Sequence, residues 1–262
     1  MFSLRQSVAP KKTILKENRY KRVELIHANR SVRIRKTFAG HSPENLKLNA
    51  AHTFKCLQFF QSYFKDEIET PKAIELDELR YAVEMEYMPE FERASRISFQ
   101  NFGKTRSFFE KCYNIKNFED FLPSIQHSVL ATPKVTKLLQ EGFPMRLGFK
   151  GDLHDNLRLS KTGLILVDVE TTCIEPLGLS ELILFLYISL SPRFATLFSL
   201  LKKKCLPVCL SRLTPEQSQR LFDAALELFH DFCLSSLTPA MKSVKISLAH
   251  CLLRYLRSVV RN

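Results

Sequence analysis

The chain has 262 residues, 45% of them apolar, with 21 Phe and a formal charge of +12 from 39 Lys and Arg against 27 Asp and Glu. That apolar content excludes an intrinsically disordered chain, and the length accommodates one large domain or two packed lobes. The positive charge biases the surface toward anionic partners (nucleotides, nucleic acid, phospholipid or acidic glycolipid) without choosing among them.

The first ninety residues read as β-rich with one inserted helix. Arg22–Ile26 and Ser31–Lys36 are alternating segments joined by His27-Ala28-Asn29-Arg30, a hairpin pattern. Pro43-Glu44 opens a helix with Ser42 as N-cap, and Leu46, Ala50, Phe54, Leu57 and Phe60 or Phe64 recur on one face until Pro71. Two more strands, Lys72–Leu76 and Tyr81–Glu86, flank an acidic turn at Asp77-Glu78, and Met88-Pro89-Glu90 breaks the pattern.

From about residue 100 the pattern is helical, interrupted only by a hairpin near residue 160, although residues 95–145 are irregular. There Ser95, Arg96, Lys104 and Arg106 read equally as acceptor-binding groups or as a solvated loop. Leu177 to Leu190 is the most apolar run. At 14 residues, with Glu181 inside it, it falls short of the roughly 20 needed to span a bilayer and reads as a buried core helix. Lys202-Lys203-Lys204 is a solvated helix end or a membrane-surface contact. In 217–233, Leu221, Ala224, Ala225, Leu228, Phe229 and Phe232 define one buried helical face; in the last segment Leu248, Cys251, Leu252, Tyr255 and Val259 do the same beside a basic remainder. No internal repeat or low-complexity linker interrupts this order.

Seven Cys without metal-ligand spacing read as reduced and mostly buried thiols, the pair Cys205 and Cys209 included. The N-terminal MFSLRQSVAPKK carries no apolar segment of signal-peptide length. The expected compartment is therefore the cytoplasm, with peripheral contact at the inner membrane face open to a basic surface.

The hairpin lies within 148–170, GFKGDLHDNLRLSKTGLILVDVE. Leu157 and Leu159 alternate with polar neighbours, Lys161-Thr162-Gly163 supplies the turn, and Leu164–Val167 forms a short buried strand. Pairing the strands carries Asp152 and Asn156, just before the hairpin, to the same edge as Asp168, just after it. Such a set of oxygens suits magnesium, which takes one or two carboxylates or amide oxygens together with substrate phosphates. Ordinary turn chemistry accounts for the same residues equally well.

A β-rich lobe with a strand ending in Lys36, a helix, a strand running into VEMEYMPE, then GDLHDN and VDVE in a helical lobe: in that order these segments resemble the protein-kinase-like fold. The likeness is to its small-molecule branch, the aminoglycoside and fructosamine phosphotransferases and the lipopolysaccharide core (Kdo and heptose) kinases, and covers about residues 14–190. It implies an α+β, two-lobed architecture, with an antiparallel β-rich, nucleotide-binding N-lobe over 1–88 and a helical C-lobe over 89–262 carrying the catalytic hairpin 148–170. It implies an ATP- and Mg2+-dependent phosphotransferase whose acceptor is a hydroxyl of a sugar or glycolipid, such as a lipopolysaccharide core sugar. By the same resemblance Asp152 is the catalytic-loop Asp that receives or orients the acceptor hydroxyl, and Asn156 and Asp168 are the metal ligands. Lys36 is the strand lysine facing the α- and β-phosphates, Met85 lines the back of the adenine pocket, and Glu86, Tyr87 and Met88 form the hinge that pairs with the adenine edge. His154 holds the loop shape by a structural hydrogen bond.

Three features depart from the family pattern. All seven Gly lie at or after Gly40, so no glycine-rich loop precedes Lys36, and Arg30 in the first hairpin turn is left to supply charge to the phosphates. Asn156 follows Asp152 by four residues where five is usual, which leaves Asp155 as an alternative ligand. The inserted helix offers Lys36 only Glu44, at its very start. A catalytically degraded pseudokinase serving as a binding or scaffold module is the alternative reading. A nucleic-acid-binding protein fits less well, since neither a recognition-helix pattern nor a zinc-finger or aromatic-sheet motif appears.

Overall fold

The computed structural model describes residues 11–28, 31–88, 92–93, 99–115, 132–149, 156–159, 164–188, 199, 201–233 and 239–261. In chain order the elements are β1 (Lys11–Glu17), β2 (Lys21–Ala28), β3 (Ser31–Phe38), α1 (Pro43–Tyr63), β4 (Ile68–Glu69), β5 (Ala73–Asp77), β6 (Ala82–Glu86), β7 (Glu92–Arg93), α2 (Phe99–Asn114) and α3 (Pro133–Gln140). They continue with β8 (Met145–Gly148), β9 (Leu157–Leu159), β10 (Leu164–Leu166), β11 (Cys173–Pro176), α4 (Leu179–Ile188), a π turn Leu201–Cys205, α5 (Leu206–Leu210), α6 (Pro215–Leu228), a second π turn Phe229–Cys233, and α7 (Pro239–Arg261). The chain divides into two compact units, one of Met1–Lys65 with Glu69–Glu90, the other of Asp66–Ile68 with Phe91–Asn262. Among the described residues no helix is long and apolar enough to cross a membrane.

The first unit is built on a five-stranded antiparallel sheet in the order β1-β2-β3-β6-β5. The β2–β3 ladder runs from Lys21↔Phe38 to Ala28↔Ser31, so His27 and Ala28 belong to the strand rather than to the turn assigned from sequence. β1 is an addition that its sequence, KKTILKE, does not announce, because all seven residues are exposed and no apolar alternation marks them. Tyr81 adopts a left-handed backbone, φ 52°, and therefore sits in the turn before β6 rather than in the strand. Helix α1 starts as the sequence predicts: Ser42 accepts a hydrogen bond from the Asn45 N–H (3.4 Å), and Pro43 occupies the first turn. Its buried face is Leu46, Ala50, Thr53, Cys56, Leu57 and Phe60, with Phe54 only half-buried. Thr53 is accommodated there because its hydroxyl donates back to the Asn49 carbonyl (2.9 Å).

The second unit contains the predicted hairpin and a further strand pair that corrects the sequence reading of an otherwise helical segment. β9 and β10 pair antiparallel from Leu157↔Leu166 to Leu159↔Leu164. β8 and β11 form a separate ladder, Met145↔Pro176 through Gly148↔Cys173. They come from segments so short that no periodicity could accumulate in either. The apolar run predicted as a core helix is α4, and its side chains from Leu179 to Leu186 are buried. Helix α6 is closed at its start by a reciprocal capping box between Thr214 and Gln217 (3.1 and 2.9 Å). It buries the predicted Leu221, Ala224, Ala225 and Leu228, with Phe222 besides. In α7 the outcome differs: Ala249 and Leu253 are buried while Leu248 and Cys251 are exposed. That helix carries apolar residues around much of its circumference, so its period does not identify which side packs.

Around the β8–β11 ladder lies a buried ionic cluster. Arg146 Nη2 donates to Glu175 Oε1 (2.9 Å) and to Glu181 Oε2, and Nη1 donates to the Leu147 carbonyl; all three charged side chains are fully buried. Glu175 lies directly across from Arg146 in the ladder. Its carboxyl group rests on Gly148, where an added Cβ would collide with it. Tyr113, Cys112, Cys205 and Cys209 surround the cluster, and burial holds the three thiols protonated. Cys56, Cys112, Cys173, Cys205 and Cys209 are free and buried and Cys251 is free and exposed, and among the described residues no three His, Cys, Asp or Glu side chains group as a metal site.

Two carboxylates facing one guanidinium leave an excess negative charge in a dry interior. Burial pushes the Glu181 carboxyl up to about 7, against the attraction of Arg146 and with added repulsion from Glu175. An acid with a raised folded-state value binds its proton more tightly when folded. The associated stability is therefore full below about pH 4.5 and lost as pH rises through about 7. Wild-type protein should lose up to about 3 kcal/mol of stability between those limits. Glu181→Gln should show a flatter profile in urea unfolding, whereas Arg146→Leu, which abandons two buried carboxylates, should cost about 3–5 kcal/mol at neutral pH.

Candidate functional site

In the first unit, cross-strand register sorts the sheet into two chemically different faces. Residues directly opposite in an antiparallel ladder share a face, so Lys36 (opposite Val83) and Ile34 (opposite Met85) lie together with those two apolar partners. Arg35 and Glu84 take the other face with Glu24 and Asp77. There Arg35 meets Glu84 (3.0 Å) and Asp77 (3.4 Å), and Arg33 meets Glu84 (3.5 Å). The two arginines near Lys36 in β3, Arg33 and Arg35, are thus consumed by a structural ion network with Glu84 and Asp77. Lys36 itself is a buried cation, 6% exposed, on the apolar face. Lysine is almost never buried for packing alone, which makes this position a candidate for a charge-dependent role.

Met85 is buried in β6, Glu86 is exposed at its end, and Tyr87 and Met88 follow half-buried. The Glu86 N–H already donates to the Lys72 carbonyl (2.9 Å). From this strand end, Glu86 therefore has its carbonyl to offer a ligand, and N–H donors fall to Tyr87 or Met88. Glu44 is exposed in the first turn of α1, so that helix presents no buried acid. Arg30, the other nucleotide-binding candidate, lies outside the described residues.

In the second unit, the hairpin brings Asn156 and Asp168 to one end. The Asn156 carbonyl accepts from the Val167 N–H (3.0 Å), extending the β9–β10 ladder by one step and placing Asn156 beside the start of the Asp168 loop. Asn156 is buried, and its Nδ2 donates to Thr171 Oγ1 (3.4 Å) across that loop. In this hydrogen bond the NH2 end of the amide is turned to Thr171, and the oxygen end of an amide is the one that suits a cation. Asp168 is half-buried, and its Oδ1 accepts from the Glu170 N–H (3.3 Å), a local turn that fixes the carboxylate on its own backbone. A carboxylate retains further acceptor positions beside such a bond. Asp152, His154 and Asp155 lie outside the described residues. Thr171 was missed in the sequence because a Thr in a polar turn carries no periodic or motif signal.

No family model matches the chain, and no curated protein matches it. Solved structures do. An aminoglycoside phosphotransferase bound to ADP superposes with a TM-score of 0.56 at 10% identity over 95% of this chain and 94% of that one. The choline kinase LicA from Streptococcus pneumoniae gives 0.55 at 13% identity over 95% of each chain. An amicoumacin kinase in complex with AMP-PNP, Ca2+ and Ami gives 0.52 at 13% identity, over 95% of this chain and 87% of that one.

The hydrogen bond from the Asn156 amide to Thr171 is open to test. Thr171→Val keeps the side-chain shape and removes the acceptor, and should lower the unfolding free energy in urea by about 1 kcal/mol, with Thr171→Ser restoring it. At these identities the superpositions establish the fold, and the chain accordingly has a protein-kinase-like fold of the kind found in small-molecule phosphotransferases.

Proposed function

We propose that the protein is an ATP-dependent phosphotransferase acting on a hydroxyl group, with magnesium as its metal and a sugar or glycolipid, such as a lipopolysaccharide core sugar, as its acceptor. The observation that carries this reading is the placement of Asn156 and Asp168 at one end of a hairpin, the amide oriented by Thr171. An amide oxygen and a carboxylate form the donor set that a hard cation takes together with phosphate oxygens. The buried Lys36 on an apolar strand face supports it further, since a compact ammonium there suits the oxygens of a polyphosphate. Four neighbours in fold carry ADP, AMP or AMP-PNP by their own descriptions, and one of them carries Ca2+ as well.

In this reading the acceptor hydroxyl oxygen attacks the γ-phosphorus, the bond from that phosphorus to the β-phosphate oxygen breaks, and ADP leaves. Asp152 takes the hydroxyl proton or orients the hydroxyl for attack. Lys36, with Arg30, offsets charge on the phosphates, and Met85 with the Glu86–Met88 backbone receives the adenine. Asn156 Oδ1 and the Asp168 carboxylate would hold the magnesium, whose bound charge offsets that on the phosphate oxygens. The basic composition favours an acidic acceptor, and with it peripheral contact at an anionic membrane surface on the cytoplasmic side.

A pseudokinase is the second reading, favoured by one observation: α1 offers no buried acid to orient Lys36. Turnover separates the two. With labelled ATP, magnesium and a panel of sugar and glycolipid acceptors, wild-type protein should release or transfer the γ-phosphate. Asp152→Asn and Asp168→Asn should each lower the rate by about 10²–10⁴-fold. Equal turnover in all three proteins would remove the phosphotransferase assignment. An inert wild type that still binds a partner equally well with Asp152→Asn would establish the scaffold.

A further inference from the structure

The buried ionic cluster lies at the root of both strands that lead to the hairpin candidates. Beyond Gly148 at the end of β8, Phe149 begins the stretch that reaches Asn156. Before Cys173 at the start of β11 comes the turn from Val169 to Thr172 that follows Asp168, closed by Thr172 N–H to the Val169 carbonyl (3.1 Å). Gly148 and Cys173 face each other in the ladder, so the two approaches are held together at this one step.

A chain of hydrogen bonds locks that step. Ser180 Oγ accepts from the Phe149 N–H (3.3 Å), Glu175 Oε1 accepts from the Ser180 N–H (3.0 Å), and Arg146 Nη2 binds the same Glu175 oxygen (2.9 Å). Glu181 anchors the guanidinium from α4, one residue beyond Ser180. Every side chain in the relay is buried, and the missing Cβ at Gly148 is what lets the Glu175 carboxyl group lie flat against β8. Phe149 is also held by its ring, which packs 5.9 Å from Phe108 of α2.

We infer that Ser180, Glu175 and Arg146 are positioning residues for Asn156 and Asp168: they fix the backbone on both approaches and so set the spacing of the two candidate ligands. This rests on the reading of Asn156 and Asp168 as metal ligands. Packing alone accounts poorly for the arrangement, because a polar relay aimed at a single backbone N–H adds direction that apolar contacts lack.

Ser180→Ala removes one acceptor and no charge. With γ-labelled ATP and magnesium in the full-length protein, it should lower kcat about tenfold and raise the Mg2+ concentration for half-maximal rate several-fold, with the KM for ATP little changed. Ser180→Thr, which keeps the hydroxyl, should recover most of the loss. A kcat and Mg2+ requirement within twofold of wild type, in a folded Ser180→Ala protein, would overturn the inference. Should Ser180→Ala fail to fold, Glu175→Gln carries the same test and the same two outcomes. If wild-type protein shows no turnover, the phosphotransferase reading falls separately, and amide hydrogen exchange decides this one. Amides across 149–172 should then exchange about tenfold faster in Ser180→Ala while protection elsewhere is unchanged, and equal exchange would overturn it.

Discussion

One guanidinium held between two carboxylates in a waterless interior organises the second unit. Each of these three charges costs several kcal/mol to remove from water, and their attraction recovers that only with good geometry and further hydrogen bonds. Arg146 bonds Glu175, Glu181 and the Leu147 carbonyl at once, while its Nε, Glu175 Oε2 and Glu181 Oε1 are buried without a hydrogen-bond partner. The gain lies in geometry more than in stability. A cross-strand ion pair between β8 and β11 admits one register, because a shift by one residue would turn Arg146 and Glu175 to opposite faces. A ladder of only four pairs has little else to fix its register, and Gly148 removes the one Cβ that would obstruct it.

The first unit solves a related problem on its sheet. A lysine on the apolar face of a strand needs neighbours that do not neutralise it by accident of sequence, and β3 reads Arg-Ile-Arg-Lys. Alternation settles the matter: Arg33 and Arg35 point to the face where Glu84 and Asp77 stand, while Lys36 points away from them beside Val83. Glu84 and Asp77 thus serve the arginines, and Lys36 stands on the opposite face of the sheet. Arg35, Glu84 and Asp77 are largely shielded from solvent, so the loss of one partner would leave the others poorly compensated, and the network holds the sorting of faces in place.

What the sequence made legible were the segments whose pattern is local. The β2–β3 ladder, the Ser42 cap, the face of α6 and the β9–β10 hairpin each declare themselves within a dozen residues, through alternation, a capping residue or a helical repeat. The β8–β11 pair did not, since Arg146 and Glu175 are far apart in the chain and each reads alone as a surface charge. Their burial is decided by tertiary pairing, which single-segment patterns do not carry. The α7 face failed for the opposite reason, an excess of apolar residues around the helix. Of the candidate residues, Lys36 was singled out by the family order of motifs, and its separation from the acidic face emerged only from strand register. Thr171 and Ser180, each binding through one hydroxyl, left no trace in composition or spacing.

The short interval between Asp152 and Asn156 takes on a different meaning once the hairpin is built. Counted from Asp152, Asn156 falls one residue early against the kinase-like pattern. Counted from the hairpin, its place is fixed by the ladder itself: it is the residue immediately before β9, its carbonyl closes the next pair with Val167, and its amide reaches Thr171 beyond Asp168. The constraint that holds the Asn156 amide against the Thr171 turn therefore acts from the C-terminal side, through strand pairing.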